Sequence, residues 1–136
     1  MNKDVYITVV GSQTDLNDNK NTDTTKERAL YFNKGNVHYV VVENEISAQN
    51  ARYKFNHRYL EVVRNGDINA KLYFEAGKEY TGNYRTPYGR MFLTFKTNSV
   101  TISESPGKIK IYVDYSIHNE SGIISDNQTE ITIEDV

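Results

Sequence analysis

Six polar side chains fall where a strand pattern aims them at the inside of a fold, and together they suit the capture of a small anion. Arg64 follows Leu60 and Val62 at every second position, so it should point inward at a strand end. Glu43 shares a parity with Val37, Tyr39 and Val41 at another strand end, and Thr97 continues Met91, Leu93 and Phe95. Tyr115 lies between Val113 and Ile117 on an apolar face. Tyr84 and Thr86 alternate away from Arg85 and brace the turn at Pro87-Tyr88-Gly89. A guanidinium binds a carboxylate or phosphate through two parallel hydrogen bonds. A mostly apolar cavity with a few convergent polar groups is the usual form of a ligand site. The same residues would equally serve a structural network, because buried polar groups must be paired.

Other chemistry finds little support. "DLNDNK" at residues 15–20 offers oxygens at Asp15, Asn17 and Asn19, as a calcium loop does. Its sixth position is Lys20 where that loop needs glycine, and its twelfth is Lys26 where it needs glutamate. His38, His57 and His118 lack zinc-ligand spacing. There is no cysteine, hence no disulfide, thiolate metal site or cysteine nucleophile. Phosphate loops, dinucleotide fingerprints and nucleophile elbows are missing from the sequence. Glu43 with Arg64 or His38 is the one visible titratable pair for an enzyme. The expectation is a non-enzymatic protein without metal or cofactor.

The elements that must position these groups read as strands. The chain has 136 residues, one domain's length, and its eleven tyrosines and five phenylalanines favour β structure. Val5, Ile7 and Val9 alternate, as do Leu30 and Phe32, with the polar segment 12–23 between them expected to be the longest loop, placed as a lid over one opening. Tyr53 and Phe55 are odd whereas Leu60 and Val62 are even, which requires a turn at 56–58. "RNGD" at 64–67 marks a hairpin, followed by Ile68, Ala70, Leu72 and Phe74. "YRTPYG" at 84–89 should form a corner before a strand carrying Met91 to Thr97, and Ile109 to Ile117 give the clearest alternation. About eight to ten antiparallel strands joined by hairpins favour a closed up-and-down barrel. Such a barrel either fills with side chains or holds one small ligand. Phe32, Phe55, Phe74, Met91, Phe95 and Tyr115 form the expected inward list of large side chains.

Several motifs carry a resemblance. "ARYKF", "LEVVRNG", "KLYFEAG", "YRTPYGRMFLTFKT" and "IKIYVDYSI" resemble the YwiB-like family, small bacterial proteins of unknown function with a calycin, or lipocalin-like, β-barrel. The likeness runs from about Tyr31 onward. It rests on Arg64-x-Gly66, Leu72-x-Phe74, Tyr84-x-Thr86 with Gly89, and Thr97, with Tyr115 and Glu43 fitting as well. Val41 departs from it, standing where the family usually has an aromatic. The resemblance implies a barrel and no activity.

Partners are bounded by charge. The net charge is −2 with 25% charged residues, which argues against a nucleic-acid partner or an anionic membrane surface. No stretch has the length of a membrane span. The apolar run after Met1 is short and polar-interrupted, so it reads as a strand rather than a signal peptide, and the expected location is cytoplasmic. A small-molecule ligand is the partner that remains. The alternative is a packed barrel acting as a structural or protein-interaction module.

Overall fold

The computed structural model describes residues 2–44, 49–66, 68–87 and 89–136. Among the described residues ten strands form, all antiparallel to their neighbours: β1 Lys3–Asp15, β2 Lys20–Lys34, β3 Val37–Asn44, β4 Gln49–Phe55, β5 Tyr59–Asn65, β6 Ala70–Glu75, β7 Glu79–Thr86, β8 Gly89–Ser105, β9 Lys108–Asn119 and β10 Gly122–Asp135. They make one sheet in the order β6-β5-β4-β3-β2-β1-β10-β9-β8-β7. Sequence neighbours are therefore spatial neighbours, and β1 joins β10 in the middle of the sheet. The sheet curls until its two edges, β6 and β7, meet. The all-β up-and-down barrel expected from the hairpin pattern is what the chain adopts.

The meeting of β6 and β7 is a seam rather than a ladder. One bridge joins them, with Asn69 N–H donating to Arg85 O at 2.9 Å and Arg85 N–H to Asn69 O at 3.0 Å. At the other end the β6–β7 turn is tied to β8, through Gly77 N–H to Thr97 O at 2.9 Å and Thr97 N–H to Lys78 O at 3.1 Å. Side chains hold the interval between. Phe74 of β6, Tyr84 of β7, Phe95 of β8 and Tyr115 of β9 form one ring cluster, with Phe74 and Tyr115 centroids 4.7 Å apart and Tyr84 and Phe95 6.0 Å apart. Gly82 lets the two edges approach, because a Cβ there would lie 3.1 Å from Lys71 O and 3.0 Å from the Tyr80 ring. A backbone carbonyl cannot step aside cheaply. Gly82→Ala should lower stability by about 1–3 kcal/mol through overpacking. The check is a urea melt, in which the midpoint falls and the slope is kept.

The core lies inside the barrel, toward one end. Val5, Ile7, Val40, Phe55, Leu60, Ile111, Ile131 and Ile133 are nearly inaccessible to solvent. That end is closed by a polar tie. Glu104 of β8 accepts from His38 Nε2 at 2.8 Å, which leaves Nδ1 to accept from the Tyr31 hydroxyl at 2.6 Å. The His38 ring stacks on Phe55 at 4.9 Å.

Several expectations are borne out and others corrected. The turn at 56–58 forms around Asn56, whose Oδ1 accepts from Arg58 N–H at 2.8 Å. The β5–β6 hairpin is closed by Asn69, whose Nδ2 donates to Gly66 O at 3.1 Å. Segment 12–23 is not a long loop. β1 and β2 continue through it, and only residues 16–19 turn, with Asp15 Oδ1 accepting from Asn17 and Asn19 N–H at 2.8 and 3.0 Å. Those bonds hold the Asp15 carboxyl below its ordinary pKa. The faces of β2 and β3 are the reverse of the expectation. Ala29, Val40 and Val42 are buried, so Leu30, Phe32, Tyr39 and Glu43 face outward. Met91 shares its parity with Phe95 but stands half exposed near the β7–β8 hairpin.

Candidate functional site

The strands that meet in the middle of the sheet grade from apolar to polar along their inward faces. β1 presents Val5, Ile7, Val9, Gly11 and Gln13 in turn, and β10 presents Ile133, Ile131, Thr129 and Asn127 beside them. β2 adds Thr25, Asp23 and Asn21, paired with Val9, Gly11 and Gln13. The register therefore sets a row of Asp23, Gly11, Thr129 and Val113, and above it a row of Asn21, Gln13, Asn127 and Tyr115. A cavity of about 380 Å³ lies where the apolar rows give way to polar ones. Its floor is Leu60, Val62, Phe74, Val113 and Ile131, and its rim carries Gln13, Asn21, Asp23 and Arg64, all exposed. Gly11 contributes volume. A Cβ on it would meet only Thr129 Oγ1, at 4.0 Å, so the missing side chain is space left open inside the barrel.

One cation and three phenols converge on this space. Arg64 leaves β5 at its end, on the same face as Leu60 and Val62, and hydrogen-bonds the Tyr53 hydroxyl. Burial pushes the Tyr53, Tyr84 and Tyr115 phenols up, Tyr84 to about 12, and the Arg64 guanidinium pulls each of them partly back. Glu27, inward on β2, adds to the rise at Tyr53, and a hydrogen bond from Thr129 lowers Tyr115. At neutral pH all three phenols keep their protons and can donate. The lining has one acid, Asp23, and one cation, Arg64. It offers an anion a guanidinium with neighbouring O–H donors, and offers a donor group the polar wall of β1, β2 and β10.

The six residues expected to form a site are sorted by this geometry. Arg64, Tyr84 and Tyr115 line the same cavity. Thr97 is buried in the β8 wall, paired in register with Tyr115, and stands outside the cavity lining; its Oγ1 has no hydrogen-bond partner among the described residues. Glu43 is turned to the outer surface beside Arg28 and Asp4, away from Arg64. The pairing of Glu43 with Arg64 or His38 is thereby corrected. The Thr86 side chain lies outside the described residues. Tyr53, Asn127, Thr129, Gln13, Asn21 and Asp23 complete the cavity without having been anticipated. The signal for them was present in the parity of Val5, Ile7 and Val9, which continues unbroken into Gly11 and Gln13. It was hidden because polarity was read as loop.

Among the described residues no group of three or more acidic or histidine side chains could hold a metal ion, and no helix is long and apolar enough to cross a membrane.

The family model described as "Domain of unknown function (DUF1934)" matches residues 7–131. The fold is similar to that in "Crystal structure of ywiB protein from Bacillus subtilis", with a TM-score of 0.86, 19% sequence identity, and coverage of 99% of this chain and 93% of that one. At that identity the likeness speaks for the fold. No curated protein sequence matches the chain. The resemblance read from the motifs is borne out.

Proposed function

The chain belongs to the DUF1934 family, which brings no assigned activity with it, and from the barrel itself we propose that the protein is a non-enzymatic carrier or sensor of a small amphipathic molecule. The apolar part of that ligand rests on Leu60, Val62, Phe74 and Ile131, and its acceptor or anionic head meets Arg64 and the phenols of Tyr53, Tyr84 and Tyr115. The observation that carries this reading is the 380 Å³ cavity, apolar below and polar above, with a single guanidinium among three protonated phenols at its upper end. A barrel packed solid would place side chains in that volume instead, where Gly11 places none. A cytoplasmic location belongs to the same proposal.

The test uses two variants that fail in different ways. Gly11→Leu places a side chain inside the cavity, and Arg64→Ala removes the head contact while leaving the volume. Anilinonaphthalene sulfonate, an amphipathic anion of suitable size, serves as the probe. Wild type should bind one equivalent, Gly11→Leu none, and Arg64→Ala about 10- to 100-fold more weakly, the range of a hydrogen bond to a charged group. Both variants should melt close to wild type. Equal binding by Gly11→Leu would place the probe elsewhere and sink the reading. Native mass spectrometry of protein from its own host's extract then asks for the natural ligand. A small molecule that rides with the folded chain and leaves on unfolding is the expected result.

A further inference from the structure

The outward face of β2 to β5 has a composition that the net charge conceals. Phe32 and Tyr39 are partners in the β2–β3 register and turn away from the core. Their rings stack at 5.0 Å and 9°, and both are half-buried although neither belongs to the barrel's core cluster. They line an outer concavity of about 390 Å³ with Lys34, Arg52, Lys54 and Glu61. The register runs Phe32, Tyr39, Lys54, Glu61, Tyr73 straight across five strands.

The charges lining the concavity are unbalanced, three cations to one acid. Elsewhere on the wall cross-strand pairs neutralise lysines, as in Lys108 with Glu134 and Lys110 with Glu130. Among the described residues Lys34, Arg52 and Lys54 have no carboxylate within ion-pair distance, and Lys54 Nζ instead lies 5.9 Å from the Tyr39 ring centre. The nearby acid, Glu61, is drawn to Lys71 at 3.7 Å. Glu43 lies beyond Val41 on β3, in a separate depression with Arg28 and Asp4.

We infer that this face binds single-stranded nucleic acid, bases stacking on Phe32 and Tyr39 and phosphates meeting Lys34, Arg52 and Lys54. Stacking on aromatic rings beside a basic groove is the recurrent chemistry of strand binding and needs no sequence readout. Charge complementarity chooses this occupant over a second copy of the chain. Three cations without a carboxylate partner among the described residues would face the same three on the other copy across a two-fold axis. The overall charge of −2 sets the expected strength: the attraction is local, and binding is weak at physiological salt.

The measurement is fluorescence anisotropy of a labelled oligouridylate of twelve nucleotides, titrated with the full chain over a range of salt. Saturable binding is expected, with log K falling against log salt at a slope of about −2, the value for three phosphate contacts on a single strand. Phe32→Ala and Tyr39→Ala should each weaken binding about 5- to 100-fold with little change of slope. Lys54→Glu should abolish it. All three side chains lie on the outer surface, so melting curves confirm that the variants are folded. No binding at low salt overturns the proposal, as does binding that survives both Phe32→Ala and Lys54→Glu. Displacement of the strand by an equal nucleotide concentration of uridine monophosphate would make this a mononucleotide pocket and also overturn it. Concentration-dependent dimerisation abolished by Phe32→Ala, with no strand binding, would assign the face to a second copy.

Discussion

Truncating Phe55 to alanine is expected to cost about 3–5 kcal/mol of stability and to lower Tm by roughly 10–15 °C. Phe55 is wholly inaccessible to solvent, and it lies at the closed end of the barrel, outside the cavity lining. Its removal leaves a void bounded by strands that are hydrogen-bonded on both sides and cannot collapse inward. Two further losses follow. The His38 ring stacks on Phe55 at 4.9 Å, so truncation loosens the histidine that links Tyr31 of β2 to Glu104 of β8. That link crosses the end of the barrel between strands that are not neighbours in the sheet. Phe55→Leu, which keeps most of the volume and loses the ring face, should cost less than half as much. Denaturant melts of the two variants separate packing from stacking. A loss under about 1 kcal/mol for Phe55→Ala would show that the closed end is not the stable part of the fold.

The same substitution also separates fold from site. Phe55 lies outside the cavity lining, one step along the inward face from Tyr53 and in register with Leu60, which both line it. A folded Phe55→Ala protein keeps Arg64 and the phenols and should still bind the anionic probe, where Arg64→Ala should bind it about 10- to 100-fold more weakly.

How far the sequence spoke depended on what each inward face had to meet. β5, β6 and β9 were readable because their inward residues enter a dry core and their outward ones face water: Leu60 and Val62 alternate with Glu61, and Ile111 and Val113 with Tyr112. Arg64 was found by extending that parity by one step. Tyr115 was found because it interrupts a run of aliphatic residues. β3 defeated the same reasoning because "VHYVVVE" is apolar on both faces, so parity alone could not choose one. The larger rings were assigned inward. The fold does the opposite, burying Ala29, Val40 and Val42 and leaving Phe32 and Tyr39 to stack outside. Glu43 went to the wrong side with them. Segment 12–23 failed for a different reason. Its inward residues Gln13, Asn21 and Asp23 line the cavity's rim, so the strand carries no apolar face for a pattern to detect. Alternation reports burial against oil, and a strand facing a polar rim is silent in it. The stretch least like a strand was therefore the one that builds the site.

Raising the pH should test the cavity's dryness through Tyr84. Its phenol is pushed up to about 12, first by burial and then by the neighbouring Tyr115, against the pull of Arg64. In the unfolded chain the same phenol titrates near 10. Between those values the folded state holds a proton that the unfolded state has released. Stability from this group is thus fully present below pH 10 and is lost as the pH rises toward 12. A shift of that size corresponds to at most about 2–3 kcal/mol, an upper bound because solvent entering the cavity screens it. Tyr84→Phe should have little effect at neutral pH and should flatten the fall in stability between pH 10 and 12. Tyr73 supplies the internal contrast. It also rises to about 12, but chiefly through the hydrogen bond its hydroxyl donates to Glu75 at 2.5 Å, on the outside of the barrel. Glu75→Gln should return Tyr73 toward its ordinary range while leaving Tyr84 late. Tyrosinate absorbance followed through the titration distinguishes the two. If Tyr84 titrated with the exposed tyrosines, water would reach deep among the rings of Phe74, Phe95 and Tyr115. A ligand would then gain little by resting there. If it titrates late, the upper cavity is a dry place with a proton to donate, which is the condition an anionic head needs beside Arg64.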